Sequence, residues 1–378
     1  VPKAVLIALA LLLGLNLHRA DARVLVEAAG AEEIVFSHDQ DACQPEDSPD
    51  APARAFRDAN GRVHLFASTL VSFGFVGLDL NSVKHDCRIS FRGAEADDPA
   101  RFDDREWVTS FWTEDGKTIH ALVHNEFQGN LRPSLCPTQR YFDCWYNAIT
   151  AAVSTDEGFH FARQDPGLVA APAYRYDASV GRPVGYFNPS NIVKQGGFYY
   201  TMIFAEPVGA QKRGVCLLRT GDLSRADSWR AWDGSGFGIR LASPYIALVG
   251  QRCTPVAPDR LTSHIWSLVL YRPTGHYLAL MGPNGPHPAF VLSESADLLN
   301  WSKPEPIMDN PVAVDGPCKD RAQRAYPSWL DPDSPSRNFD TVGRTAYLYF
   351  TRFHFGQQCQ GTLDRDLVRV PFRIEPVD

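Results

Sequence analysis

No cluster of lysines and arginines stands anywhere in this 378-residue chain, and its formal net charge is −7. Nucleic acids and anionic membranes bind through such clusters, so both are set aside as partners. No two of the eight cysteines are spaced C-x-x-C, which leaves a zinc site without support. No cysteine has the surroundings of a nucleophile. The apolar run that opens the chain, Ala4 to Leu15, is too short to span a bilayer. Methionine is scarce, at three residues, against 28 glycines, 28 prolines, 22 phenylalanines and 13 tyrosines. That balance suits an all-β protein with many turns.

The same opening run reads as a targeting segment. Lys3 precedes it, and Ala20-Asp21-Ala22 has the small-x-small pattern of a signal-peptidase site. Cleavage after Ala22 and export are expected, to the periplasm or beyond the cell, with residues 23–378 as a single domain. An oxidising compartment gives meaning to the even set Cys43, Cys87, Cys136, Cys144, Cys216, Cys253, Cys318 and Cys359. Cys136 and Cys144 are close enough in sequence to staple one loop, and Cys318 and Cys359 flank the last hairpin. Spacing alone leaves the connectivity open.

Five hairpins recur, with turns at Asn60-Gly61, Asp115-Gly116, Gly196-Gly197, Thr274-Gly275 and Val342-Gly343. Each turn is followed by a strand rich in aromatic and β-branched residues, such as Phe198-Tyr199-Tyr200-Thr201-Met202-Ile203. Glycine supplies the positive φ of a tight turn. The turns lie roughly 55 to 80 residues apart, enough for one four-stranded blade with long loops. The expectation is a five-bladed β-propeller of four-stranded antiparallel blades. The blades are placed at about 50–91, 107–168, 187–239, 245–307 and 326–374. The alternating Val24-Leu25-Val26 is a candidate for the strand that closes the ring on the last blade. Ser154 to Phe161 is similar to the Asp-box of sialidases, a turn device. Asp156, Asp222 and Asp297 are read as turn residues, followed by aromatics that pack between blades.

In a blade, the start of the innermost strand and the end of its antiparallel neighbour share one face. That rule gathers Asp50, Asn188, Asn191 and Tyr326 with Ser68, His124, Asn125, Glu126, Glu206, Arg352 and His354. Such a concave set of acids, amides and aromatics suits a polyhydroxylated ligand. Two carboxyls across the funnel are the minimal machinery of glycoside hydrolysis, one keeping its proton and one ionised. Asp50 is the leading base. Glu126 is the leading acid, because it ends a strongly apolar strand where desolvation would raise its pKa. Glu206, at the equivalent place in the third blade, is its rival. Arg54, His124, Asn125, Tyr146, Asn147, Asn188, Asn191, Tyr326 and Arg352 are candidate sugar ligands, amides being able to donate and accept at once. Satisfaction of loop backbone is the alternative role of Asn188-Pro189 and Asn191. Trp145-Tyr146 is a candidate stacking platform, with inter-blade packing as its alternative, and His38, Asp39 and Asp41 are candidates for the funnel or a cation, with a solvated loop as theirs.

At these residues the chain resembles the five-bladed propeller glycosidases, the group of families forty-three, thirty-two and sixty-two. The likeness is sharpest in Asp50-x-Pro52 with Phe56, Gly61 and Ser68, and in Asn188-Pro189-Ser190-Asn191-Ile192 running into Gly197-Phe198-Tyr199-Tyr200. Ser293-x-Ser295-x-Asp297-Leu298-x-x-Trp301 is similar too. The resemblance implies a first-blade aspartate as base or nucleophile, a second-blade aspartate that tunes, and a third-blade glutamate as acid. Asp50 matches the first role. The other two have no matching residue, since Phe187-Asn188-Pro189 stands where the glutamate is expected and no Asp-Pro opens the second blade. The resemblance therefore implies an exported glycoside hydrolase acting on a glycan outside the cytoplasm, or a degenerate propeller that binds carbohydrate without cleaving it. A sialidase is a third reading, weakened by the missing arginine cluster. No cofactor is required, the central channel of such a ring can hold a structural calcium or sodium ion, and a monomer free of the membrane is expected. Substrate choice would lie in loops such as 130–146 and 207–214.

Overall fold

The computed structural model describes residues 23–246, 250–282, 289–310, 323–356 and 360–377. The expected targeting segment, Cys318 and Cys359 lie outside them. The first sheet runs in chain order through Arg54–Arg57, Val63–Phe66, Val71–Gly77 and Lys84–Arg92, all antiparallel. The second group is Glu106–Trp112, Ile119–Gln128, Trp145–Ser154 and Ala162–Ala170. A third group comprises Val184–Phe187, Val193–Gln195, Phe198–Glu206, Gly214–Thr220 and Arg230–Ala231. These two groups join into one nine-stranded sheet through a short parallel contact of Val184 and Gly185 with Tyr146 and Asn147. The fourth is Ile265–Tyr271, His276–Met281, Ala289–Ser295 and Glu305–Asp309. The fifth is Arg324–Leu330, Thr345–Phe355 and Gly361–Val377. Its outer edge is completed by Arg23–Ala28 from the far end of the chain, the ring-closing strand expected from its alternation.

The core is divided by the blades rather than centred. Among the described residues, five large apolar clusters each fill the space between two neighbours. Phe56, Phe66, Phe111 and Phe161 lie between the first and second blades. Trp112, Ile149, Ile203 and Trp229 lie between the second and third, and Phe187, Met202, Leu268 and Trp301 between the third and fourth. Val269, Phe290, Trp329 and Phe350 separate the fourth from the fifth. Phe36, Leu65, Leu330 and Tyr349 return the ring to the first blade. Each blade thus buries both faces, which is how a twisted sheet avoids leaving an apolar face in water.

Near the axis the seams are polar. Ser110 Oγ donates to the Ser190 carbonyl at 2.6 Å, the Leu268 N–H donates to Asn191 Oδ1 at 2.7 Å, and the Trp329 N–H donates to Ser267 Oγ at 3.2 Å. Ser328 Oγ donates to the Ala53 carbonyl at 2.6 Å. Short hydroxyls and amides complete the backbone hydrogen bonding there. Arg54 is buried among them, donating to Ser328 Oγ at 2.9 Å, to the Ala53 carbonyl at 3.1 Å and to the Trp266 carbonyl at 2.5 Å. It binds the first, fourth and fifth blades together, a structural role in place of the sugar contact expected from sequence. Arg54→Ala is expected to cost about 2–4 kcal/mol in urea unfolding, because it leaves buried acceptors unfilled and a cavity behind.

Several sequence expectations are met locally. Gly116 has φ +75°, and a Cβ there would lie 2.5 Å from the Ala59 nitrogen, so the second turn requires glycine. Gly343 is different: its N–H donates to Asp331 Oδ2 at 2.7 Å, and residues 331–344 form a long connection that includes Thr341–Val342, paired with the fourth blade. Asp156, Asp222 and Asp297 accept backbone N–H groups of their own turns, as read from sequence. Among the described residues three disulfides are formed, Cys43–Cys87, Cys136–Cys144 and Cys216–Cys253. The fourth blade begins at Ile265 rather than near Tyr245. Tyr245 instead packs on Phe102, and its hydroxyl accepts the Tyr176 N–H at 2.9 Å. No helix among the described residues is long and apolar enough to cross a membrane.

Candidate active site

Asp50 opens the first inner strand, its N–H donating to the Ala67 carbonyl at 2.9 Å. Its carboxylate accepts Trp107 Nε1 at 3.1 Å and the Tyr326 hydroxyl at 3.0 Å, and is ion-paired with Arg365. All three partners are donors, and an ionised carboxylate only accepts. Trp107 begins the second blade and Tyr326 the fifth, so Asp50 joins the blades on either side of its own.

From Trp107 a collar of rings runs around the funnel. Centroid separations are 6.1 Å from Trp107 to His124, 5.6 Å from His124 to Phe187 and 5.8 Å from Phe187 to His264. His264 stacks on Trp266 at 5.0 Å, and Trp266 meets Tyr326 edge-on at 5.2 Å. Asp50 closes the circle. Burial pushes both imidazoles down to about 3, His264 adding to the effect on His124 and Arg213 to that on His264. The collar histidines are therefore neutral at physiological pH. Asn188, at φ +42°, sits between them, with its amide nitrogen 2.9 Å from His264 Nδ1.

Glu126 stands next to this collar, its Oε1 3.7 Å from His124 Nδ1 and its Oε2 accepting Gln128 Nε2 at 2.7 Å. Its carboxyl is pushed up to about 8, first by burial and then by the negative charge of Asp50, with Gln128 and Arg105 opposing. Neither His124 nor Glu126 is charged at neutral pH, so their contact is polar rather than ionic. Behind Glu126, buried Asp104 holds Arg132 through both oxygens, at 2.8 and 2.9 Å, and accepts the Gln128 N–H at 3.1 Å. The charge of Asp104 also raises Glu126. The site thus contains a charged carboxylate on three donors and a second carboxyl that keeps its proton.

The remaining candidates lie elsewhere, each for a local reason. Glu206 is paired with Arg213 at 3.0 Å and lines a separate cavity of about 150 Å³ with Tyr174, Tyr186 and Gln211. Arg352 binds Asp366 at 2.6 Å and Glu32 at 3.5 Å. Successive strand residues point to opposite faces. In the paired strand it is therefore Arg365, opposite Phe353, that turns to Asp50, while Asp366, opposite Arg352, turns away. Asn125 and Asn147 are fully buried and donate to the carbonyls of Asp104 and Val184. Asn191 clasps both backbone groups of Leu268. Tyr146 is fully buried, its hydroxyl donating to the Tyr174 carbonyl at 2.8 Å. These four serve loop and packing roles, which were the alternatives weighed from sequence for Asn191 and Tyr146 and which replace the sugar contacts expected of Asn125 and Asn147. His354 joins Arg352 on Asp366, at 2.9 Å.

Sequence reasoning missed Arg365, Trp107, His264, Trp266, Gln128, Arg105 and Asp104. Trp266 and His264 stand at a first-strand start and would have been found had the fourth blade been placed at Ile265. Arg365 lies on a third strand, which the first-and-second-strand rule does not sample.

No family model matches this sequence, and no match is found among curated proteins. Solved structures similar to it include sucrose-6-phosphate hydrolase from Lactobacillus gasseri, at 12% identity and TM-score 0.47 over 86% of this chain. This chain spans 61% of that hydrolase's length. The GH43_1 enzyme from Xanthomonas citri complexed with xylose is similar at 12% identity and TM-score 0.49, over 93% of this chain and 90% of that one. A putative exo-β-1,3-galactanase from Bifidobacterium bifidum is similar at 12% identity and TM-score 0.45, over 86% and 96%.

Proposed function

We propose that the protein is an exported glycoside hydrolase in which Glu126 is the general acid and Asp50 the base. The observation that carries this reading is the pairing, at one funnel mouth, of a carboxylate on three donors with a carboxyl raised to about 8. Glu126 would give its proton to the glycosidic oxygen as the bond to the anomeric carbon breaks. Water would add its hydroxyl to that carbon and pass its other proton to Asp50. The developing positive charge on the sugar ring would lie near Asp50 and within a collar of neutral aromatic faces, which stabilise a cation without competing for its counter-charge. Tyr326, Trp107 and Arg365 would orient Asp50, and Asp104 would sustain the raised pKa of Glu126. The three disulfides suit an oxidising compartment.

A second reading is a propeller that binds glycans without cleaving them. Two observations favour it: Arg365 is already paired with Asp50, and Asn188 occupies the third-blade position where an acid is expected. The test is a hydrolysis screen of the mature protein on aryl glycosides and on xylo-, arabino-, galacto- and fructo-oligosaccharides. Sugar release that disappears in Asp50→Asn and Glu126→Gln supports the enzyme. Glycan binding with no release on any substrate sinks it in favour of the binding module.

A further inference from the structure

The loop that follows the Glu126 strand carries the two most exposed large aromatic rings among the described residues, Phe142 at 60% and Tyr141 at 58%. They are not scattered. Their centroids lie 4.8 Å apart, and each also contacts Trp145, at 5.0 Å from Tyr141 and 5.3 Å from Phe142. Trp145 is buried and donates from Nε1 to Asn130 Oδ1 at 2.8 Å. The loop is fixed at its base by Cys136–Cys144 and by Asp143, which accepts Thr138 Oγ1 at 2.7 Å and Arg140 Nε at 2.9 Å.

Two rings held in water by this much covalent and polar scaffolding lose little entropy when a ligand covers them. Their position says which ligand. Trp145 pairs in register with Gln128, whose amide holds the Glu126 carboxyl, so the cluster adjoins the acid of the candidate site. Desolvation first, and then the charges of Glu126 and Asp50, raise the Tyr141 phenol. A glycan leaving the funnel past Glu126 would cross these rings, and the apolar face of a pyranose or furanose matches an aromatic face.

We propose that Tyr141 and Phe142, seated on Trp145, form a stacking platform for the sugar next to the one held at Asp50 and Glu126, so that the protein takes a glycan chain rather than a single sugar. This rests on the reading of Asp50 and Glu126 as a glycan site, whether or not that site cleaves.

Isothermal titration of the full chain decides it, with xylose, arabinose, galactose and fructose set against the trisaccharides of each. Wild type is expected to bind one trisaccharide at least about tenfold more tightly than its monosaccharide, the order of gain that ring contacts provide. In Tyr141→Ala/Phe142→Ala that gap should close, and in Cys136→Ser/Cys144→Ser it should narrow as the loop loosens. Both side chains are exposed, and unchanged melting of the alanine variant would show that the fold is intact. A gap that persists in the double alanine variant overturns the platform, as does a wild type with no gap on any pair. Hydrolysis is read separately. A closed gap without sugar release keeps the platform and removes the enzyme, whereas sugar release with a persistent gap does the reverse.

Discussion

Glu126→Gln is expected to lower glycan hydrolysis by about 10²-fold or more while making the protein more resistant to heat at alkaline pH. Both effects come from one cause. The folded protein holds the Glu126 carboxyl at about 8, against an ordinary value of 4.5, because burial and the charge of Asp50 disfavour its ionised form. The sign follows from linkage. A group whose pKa is raised on folding contributes its full stability below 4.5, and that contribution is lost as pH rises from 4.5 through about 8. Glutamine keeps the neutral shape and cannot ionise, so it avoids the loss. The melting temperatures of variant and wild type should nearly coincide at pH 4. At pH 8.5 the variant should lead by roughly 2 °C or more. A variant that melts below wild type at pH 8.5 would mean that the carboxyl is ionised and paired in the folded state. Under the proposed mechanism the same titration would set the alkaline limb of wild-type activity. The acid form is present below about 8, and kcat/KM should fall about tenfold per pH unit above it.

Asp50→Asn should abolish hydrolysis to a similar degree and move stability the other way. Asparagine keeps one acceptor but places an amide where Trp107, Tyr326 and Arg365 all donate, and it leaves the Arg365 charge without a partner. Removing one member of a partly buried ion pair costs about 1–3 kcal/mol, visible as a lower urea midpoint at unchanged slope. The substitution also removes the negative field that helps raise Glu126. The alkaline limb of any residual activity should therefore shift to lower pH. An unshifted limb would show that Asp50 and Glu126 do not share a site, and would return Glu206 to contention as the acid. The opposite stability changes of the two variants separate a loss of chemistry from a loss of fold.

The parts of this protein legible in its sequence are those fixed by neighbours along the chain. Turn glycines such as Gly116, the Asp156 turn at Ser154 to Phe161 and the closing strand at Val24 to Val26 depend on local φ and on alternation, both of which the sequence displays. The rule that inner-strand starts and second-strand ends share a face gathered Asp50, Glu126, His124, Asn188 and Tyr326, which do lie near one another, but also Glu206 and Arg352, which lie elsewhere. Three-dimensional register decided the rest. Whether Arg352 or Arg365 meets Asp50 depends on a one-residue phase between paired strands, and a strand's phase is set by its partner and not by its own residues. The roles of Arg54, Asn125, Asn147, Asn191 and Tyr146 turned on burial, since an amide or guanidinium that reads as a sugar ligand serves equally to satisfy buried backbone. The unequal protonation of Glu126 and Asp50 also belongs to the tertiary structure alone. It arises from desolvation and from charges brought together from the first, second and fifth blades, which no local stretch of sequence contains.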